Sequence, residues 1–148
     1  MPSINGVLTP NGPLLTMMVG VSQPRATAMQ AAGVQPPPYV TGTFLVDTGA
    51  SGTCVDPAFV ASLGLIATGN VAMQTPSTAG VPVACNQYDV AIYIPNNGTG
   101  GGGFFINALP VIEASFASQG IEGLIGRDII DRCTFICNGS AGMFTLAY

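Results

Sequence analysis

The sequence predicts an all-β domain, closed or nearly closed into a barrel with one or two short helices, and three observations carry the prediction. Apolar runs of strand length recur along the 148 residues, bounded by Gly, Pro and polar turn residues. One stretch alone has full helix punctuation. Near the C-terminus, Asn138-Gly139 stands between two apolar segments, which is a hairpin signal.

The elements follow in chain order. Residues 12–22 form an apolar run between Gly12 and Ser22 and fit a first strand. Residues 23–39 are rich in Ala, Gln and Pro, and Pro36-Pro37-Pro38 forbids helix or central strand there. This reads as a long connection with one helical turn around 26–32. A second strand spans 40–46, where Phe44-Leu45-Val46 is apolar without alternation, as in a strand covered on both faces. A helix is expected over 56–64: Asp56 caps it, Pro57 takes its first position and Gly64 stops it. Strands are expected at 71–74, 81–85 and 89–94, with a mobile turn at 75–80 between the first two. The Gly-rich segment 96–103 reads as a flexible hairpin tip, since no Lys and no helix pattern follow it as a phosphate loop requires. Another strand covers 104–112, interrupted by Pro110. Residues 121–133 break at Gly126 before a short helical segment, and 134–137 and 143–148 form the final hairpin. No internal repeat is visible.

Composition narrows the chemistry. Three Arg and seven acidic residues give a net charge of −4, and only 7% of residues are charged, against about a quarter in ordinary domains. There is no His and no Lys. Ser-His-Asp and Cys-His triads, HExxH zinc sites, Schiff bases and the P-loop lysine are therefore excluded, and a general acid or base is a carboxylate before it is Tyr or Cys. Arg25, Arg127 and Arg132 make no basic patch, so nucleic acid is not an expected ligand. The length suits one domain, 1–148 with its core from about 13 onward, large enough to fold without disulfides. No apolar stretch approaches a membrane span, and Met1-Pro2-Ser3-Ile4-Asn5 lacks a signal-peptide pattern, so the expectation is a soluble, cytoplasmic chain without a membrane partner. Cys54, Cys85, Cys133 and Cys137 read as buried free thiols. A four-thiolate zinc site is the alternative, although only Cys133 and Cys137 are close in sequence. No metal and no cofactor are expected.

One carboxylate stands out. Asp47 leaves the covered strand at 40–46 and enters Thr48-Gly49-Ala50-Ser51. Gly49 lets the chain fold back so that backbone N–H groups approach the carboxylate, and Ala50 keeps the space before it open. An isolated Asp-Thr-Gly is also an ordinary strand-to-turn connection. Here, however, a second pattern stands 80 positions on: Gly123-Leu124-Ile125-Gly126-Arg127-Asp128, followed by two apolar residues.

Together the two motifs resemble the active-site loop and the Gly-Arg-Asp/Asn segment of retropepsin-like aspartic proteases, over roughly residues 13–148. The resemblance implies a retropepsin-like closed barrel with a flap hairpin, assembled as a C2 homodimer. One Asp-Thr-Gly loop is present where two-lobed relatives carry two, so the second aspartate is expected from a symmetry mate of Asp47. Two carboxylates about 3 Å apart would share one proton and activate water to hydrolyse a peptide bond. By the family pattern Thr48 bonds across the dimer and Gly49 supplies N–H groups to the carboxylates. Residues 74–83 become the flap, with Thr75, Ser77, Thr78, Ala79 and Gly80 contacting the substrate. Gly126, Arg127 and Asp128 form a structural motif. Viral relatives often have Asp where Ser51 stands, so Arg127 needs another partner: Asp56, Asp128 or Asp131, or backbone carbonyls. Asp56 is expected to cap the helix, Asp128 and Asp131 to serve the short helix or an Arg pair, and Asp89, Glu113 and Glu122 to be solvated. The expected function is that of an aspartic endopeptidase acting on extended, largely apolar peptides. The competing readings are a non-catalytic dimerisation or peptide-binding module and a two-carboxylate glycoside hydrolase.

Overall fold

The computed structural model describes residues 1–75, 78–98 and 100–148. Among the described residues ten strands form one sheet: β1 (Ser3–Thr9), β2 (Gly12–Val21), β3 (Val40–Val46), β4 (Cys54–Val55), β5 (Gly69–Met73), β6 (Val83–Ile94), β7 (Phe104–Glu113), β8 (Gly123–Ile125), β9 (Thr134–Asn138) and β10 (Met143–Ala147). The helices are α1 (Gln23–Ala31), α2 (Pro57–Ser62) and α3 (Arg127–Ile130), with a 3₁₀ turn at Ala117–Gln119.

Strand β6 closes the sheet on itself. It pairs with β7 along most of its length and, through Val90 to Tyr93, with β2. The ring then runs β2, β3, β8, β4, β7 and back to β6, which is the closed all-β barrel expected. Inside it lie Met17, Val19, Phe44, Val55, Val90, Ile92, Ile94, Val111, Ile125 and Ile129, all fully buried. Two appendages leave the ring. Strand β5 pairs only with the first half of β6, making a hairpin, and β1, β10 and β9 extend the sheet beyond β2.

Several elements differ from expectation for identifiable reasons. The segment 23–39 holds a nine-residue helix, α1, in place of a single turn. Pro24 sits in its first turn and its interior is Ala-rich, both favourable to helix. None of its residues is buried; Arg25 fastens it by donating from Nη2 to the Gly64 carbonyl at 2.8 Å. The strands expected at 81–85 and 89–94 are one continuous strand, β6, whose polar Asn86-Gln87 lies where it leaves the β5 hairpin and joins β7. Strand β7 runs through Pro110, which pairs with Asp89 beside a register irregularity between Val90 and Ile92. A proline lacking its N–H is tolerated at such a bulge. Strand β1 has no apolar run and escapes a reading by hydrophobicity, yet Ile4 is buried and the strand pairs with β10 from Ser3 to Val7. The helix at 57–62 forms as its punctuation dictates: Asp56 Oδ1 accepts the Ala58 N–H at 3.0 Å, and Phe59 packs edge-on against Phe44 at 5.8 Å between ring centres.

Candidate active site

Strand β3 alternates its side chains between two faces. Phe44 and Val46 enter the main core, while Leu45 faces a second apolar cluster with Leu124, Cys54, Ile112 and Met73. Asp47 therefore leaves the strand between a packed barrel and an apolar floor. Its own N–H donates to the Ile125 carbonyl at 2.9 Å, which ties the loop to β8. The turn then closes as the sequence suggests. Gly49 N–H donates to Asp47 Oδ1 at 2.8 Å, and Ala50 N–H to the Asp47 carbonyl at 3.2 Å.

Beside Asp47 lies a cleft of about 430 Å³ lined by Asp47, Gly49 to Gly52, Cys54, Ile112 and Leu124, together with Met73, Gln74 and Thr75 at the end of β5. Among the described residues of that lining, Asp47 is the one charged side chain. The floor residues Leu124, Cys54 and Ile112 belong to a single row across the sheet: Leu14 pairs with Leu45, Leu45 with Leu124, Leu124 with Cys54, and Cys54 with Ile112. Leu14 and Leu45, further along that row, line a second cavity of about 320 Å³. An apolar floor with a carboxylate at its edge suits an apolar peptide segment.

The two sequence motifs are stitched together by a ladder. Arg127 N–H donates to the Ala50 carbonyl at 3.0 Å, and Arg127 Nη1 to the Thr48 carbonyl at 3.3 Å. Of the partners left open for Arg127, the structure shows a backbone carbonyl. Asp128 grips the far end of the loop: Oδ2 accepts Thr53 N–H at 2.9 Å and Oδ1 accepts the Thr53 hydroxyl at 2.7 Å. Oδ1 also takes the Ile129 N–H at 3.0 Å, the helix-start role expected of it. Thr53 is fully buried, and its oxygen accepts the Gly126 N–H at 3.2 Å. Gly126 is needed because the chains touch: a β-carbon there would lie within 2.5 Å of the Gly52 backbone. The sequence reading missed Thr53, Cys54, Met73, Ile112 and Leu124 as cleft or clamp residues. A fully polar Thr just ahead of the apolar pair Cys54-Val55 was the available signal.

Of the hairpin residues singled out, Thr75 and Thr78 brace one another. The Thr75 N–H donates to Thr78 Oγ1 at 3.1 Å, and the Thr78 hydroxyl donates to the Thr75 carbonyl at 2.8 Å. Ala79 and Gly80 take left-handed φ values of 49° and 81°, and the Gly80 carbonyl accepts from Gln74 Nε2 at 3.1 Å. Of these residues only Thr75 lines the cleft; Ser77, with Pro76, lies outside the described residues. Thr48 and Ser51 are exposed beside Asp47.

Glu122 and Glu113, expected to be solvated, are hydrogen-bonded. Glu122 Oε2 accepts the Thr43 N–H at 2.6 Å, and Glu113 Oε2 accepts the Tyr88 hydroxyl at 2.8 Å, which pushes the Tyr88 phenol up. Asp56 adds a second bond to its cap, from Phe116 N–H at 3.1 Å. The four cysteines are free, and only Cys54 is buried, with Cys137 exposed, which corrects the expectation of four buried thiols. Burial, followed by the charges of Asp128, Cys85 and Asp47, pushes the Cys54 thiol from 9.0 up to about 11. At neutral pH it is an uncharged part of the cleft floor, not a nucleophile. Among the described residues no three His, Cys, Asp or Glu side chains gather to hold a metal, and no helix is long and apolar enough to cross a membrane.

Comparison with known proteins agrees with this geometry. The family model described as aspartyl protease matches residues 39–129, which contain Asp47, the cleft floor and the clamp. The chain belongs to the aspartyl protease family. Among solved structures it is similar to a retropepsin-like aspartic protease from Rickettsia conorii, with a TM-score of 0.57 and 15% identity, covering 99% of this chain and 90% of that one. The likeness at that identity is one of fold: a retropepsin-like barrel. No curated protein matches the sequence.

Proposed function

We propose that the protein is an aspartic endopeptidase in which two copies each contribute Asp47 to one shared site. The observation that carries this reading is the placement of Asp47, held by Gly49 N–H at the edge of a cleft whose other described lining residues are uncharged, with Met73, Gln74 and Thr75 among them. A single chain supplies one such carboxylate. Hydrolysis by a carboxylate pair needs one group to take a proton from water and another to donate to the carbonyl oxygen. A two-fold axis beside the exposed Thr48-Gly49 turn supplies the second. The two carboxylates then share a proton, because adjacent like charges resist joint ionisation. The Asp47 of one subunit, ionised, takes a proton from water as its oxygen attacks the peptide carbon. The protonated Asp47 of the other donates to the carbonyl oxygen, and the roles exchange when the amine leaves.

The rest of the chain serves that step. The Thr48 hydroxyl bonds to the partner's loop and fixes the spacing of the pair. The ladder to Arg127 and Asp128 keeps the loop from relaxing when two carboxylates are forced together. Residues 74–83 act as a flap over the bound peptide, with Thr75, Ser77, Thr78, Ala79 and Gly80 presenting polar backbone to it, and the substrate lies extended as an added strand. The row Leu45, Leu124, Cys54 and Ile112 takes its apolar side chains.

Digestion of a peptide library, with the ends of the products identified by mass, tests the reading. The wild-type protein cleaves between apolar residues, and Asp47→Asn does not, although it keeps the fold by circular dichroism. Equal cleavage by both proteins would refute it.

A further inference from the structure

We propose that Asn97 is a self-modifying site: with water as the only co-reactant its side-chain amide is lost as ammonia, and the carboxylate left behind releases strand β1. Along Ser3–Val7 the edge of β1 away from β10 faces no strand among the described residues, because β1 pairs with β2 only at Leu8–Pro13 and Thr9–Gly12. A cavity of about 450 Å³ lies there instead, with Ile4, Leu15 and Phe144 in its lining beside Asn5 and Asn97. Asn97 stands in for the missing strand. Asn5 N–H donates to Asn97 Oδ1 at 2.8 Å, and Asn97 Nδ2 donates to the Asn5 carbonyl at 2.7 Å, so one carboxamide satisfies both backbone groups.

The same contact fixes the residue that follows. A β-carbon at position 98 would lie 2.6 Å from the Ser3 carbonyl oxygen, so the loop reaches β1 only with glycine there. The clasp therefore imposes Asn-Gly, the pair in which no side chain shields the second amide nitrogen from the first residue's carboxamide. Gly98 N attacks Asn97 Cγ, its proton leaves with the side-chain nitrogen as ammonia, and a cyclic imide closes. Water then opens the ring at Cγ to give aspartate, or at the backbone carbon to give isoaspartate. In balance one water enters and one ammonia leaves. Ring closure waits on the clasp: Gly98 N–H donates to Asn96 Oδ1 at 2.7 Å while β1 holds the Asn97 amide, and Asn97 is exposed to water whenever it lets go.

The group lost at Asn97 is a donor, and that is why the change matters here. The oxygen that replaces Nδ2 faces the Asn5 carbonyl, acceptor against acceptor. It also brings a negative charge between segments 1–24 and 90–112, neither of which has a charged side chain. The other Asn-Gly pairs differ. Asn138 uses only Oδ1, accepting the Ser140 hydroxyl at 2.8 Å and the Ala141 N–H at 3.1 Å, a role that a carboxylate keeps. Asn11 stands exposed in the turn between β1 and β2. Asn5 lies inside the β1–β10 ladder, where the extended backbone holds Gly6 opposite Phe144.

Two measurements on the intact chain test this. In the first, the protein is aged in mildly alkaline buffer and its peptides are mapped by mass, the product being marked by replacement of NH2 with OH. Asn11 and Asn138 convert first, Asn97 follows, and Asn5 stays intact. In the second, amide hydrogen exchange is compared in wild type, Asn97→Asp and Asn138→Asp, with circular dichroism checking that each is folded. Asn97→Asp speeds exchange at Ile4, Asn5 and Gly6 by at least about tenfold, and Asn138→Asp leaves it unchanged. The effect at Ile4 and Gly6, which stand opposite Leu146 and Phe144 of β10, separates release of the strand from loss of one local bond at Asn5. An Asn97 still intact once Asn11 and Asn138 have fully converted would overturn the modification. Exchange in Asn97→Asp that matches wild type, or that changes at Asn5 alone, would overturn the release. So would equal loosening of β1 by Asn138→Asp.

Discussion

Thr53→Val is the sharpest probe of how the loop carrying Asp47 is held. Valine matches threonine in shape, so no cavity opens, and the change isolates the hydroxyl. Two bonds are lost: the donation to Asp128 Oδ1 at 2.7 Å and the acceptance from Gly126 N–H at 3.2 Å. A hydrogen bond to a carboxylate contributes about 1.5–3 kcal/mol, and a buried N–H left without a partner costs about 1–3 kcal/mol. Thr53 is fully buried, so water does not replace either bond. Asp128 keeps its bonds from Thr53 N–H and Ile129 N–H, which limits the damage. A loss of about 3 kcal/mol follows, and in a chain of this size that lowers Tm by about 6–12 °C. Differential scanning calorimetry measures it, with Thr53→Ser, which keeps the hydroxyl, close to wild type. Asp128→Asn replaces one acceptor oxygen by a donor facing N–H or O–H groups and is destabilising too. The double variant falls short of the sum, because both changes break the same bond. A Thr53→Val protein melting within about 2 °C of wild type would show that the clamp is not what holds the loop.

Three further outcomes follow from the same geometry. Gly126→Ala brings a methyl group to within 2.5 Å of the Gly52 backbone, and since neither chain can give way without moving the Asp47 turn, stability falls by about 1–3 kcal/mol in urea titration. The Cys54 thiol, raised in the folded protein from 9.0 to about 11, contributes stability that is fully present below pH 9 and lost as pH climbs through about 11. Two units correspond to about 2–3 kcal/mol. Cys54→Ala therefore flattens the alkaline fall in stability measured by denaturation at pH 8 and pH 11, and parallel curves for the two proteins would count against it. A thiol-alkylating reagent at neutral pH labels exposed Cys137 first and buried Cys54 last by peptide mapping; the reverse order would contradict the packing of the cleft floor.

Much of the barrel was legible because its strands advertise themselves by apolar runs between Gly and Pro, and α2 by its cap and stop. What escaped did so for physical reasons. Strand β1 places one core side chain, Ile4, on β10 and leaves Val7 exposed, so its stability lies in pairing rather than burial and its sequence shows no pattern. Helix α1 has no fully buried residue and rests on the core through Ala26 and Met29 alone, too little for a periodicity to read; only its composition favours it. In the site, Asp47 and Gly49 were legible because turn chemistry is local. The Thr53–Asp128 clamp joins residues 75 apart, and a hydroxyl and a carboxylate at that separation announce nothing until β4 and β8 bring them together. The same holds for the cleft floor: Leu124, Cys54 and Ile112 are ordinary strand residues in the sequence, and only their register makes them one row.

The central claim is that two Asp47 carboxylates from two chains build one site, and subunit mixing tests it most directly. Wild-type protein is mixed with Asp47→Asn at fixed total concentration, allowed to exchange, and assayed for peptide cleavage. If each site needs an intact Asp47 from both subunits, activity follows the square of the wild-type fraction, and an equal mixture retains about a quarter of it. A linear decline, with about half remaining in the equal mixture, would contradict the shared dyad.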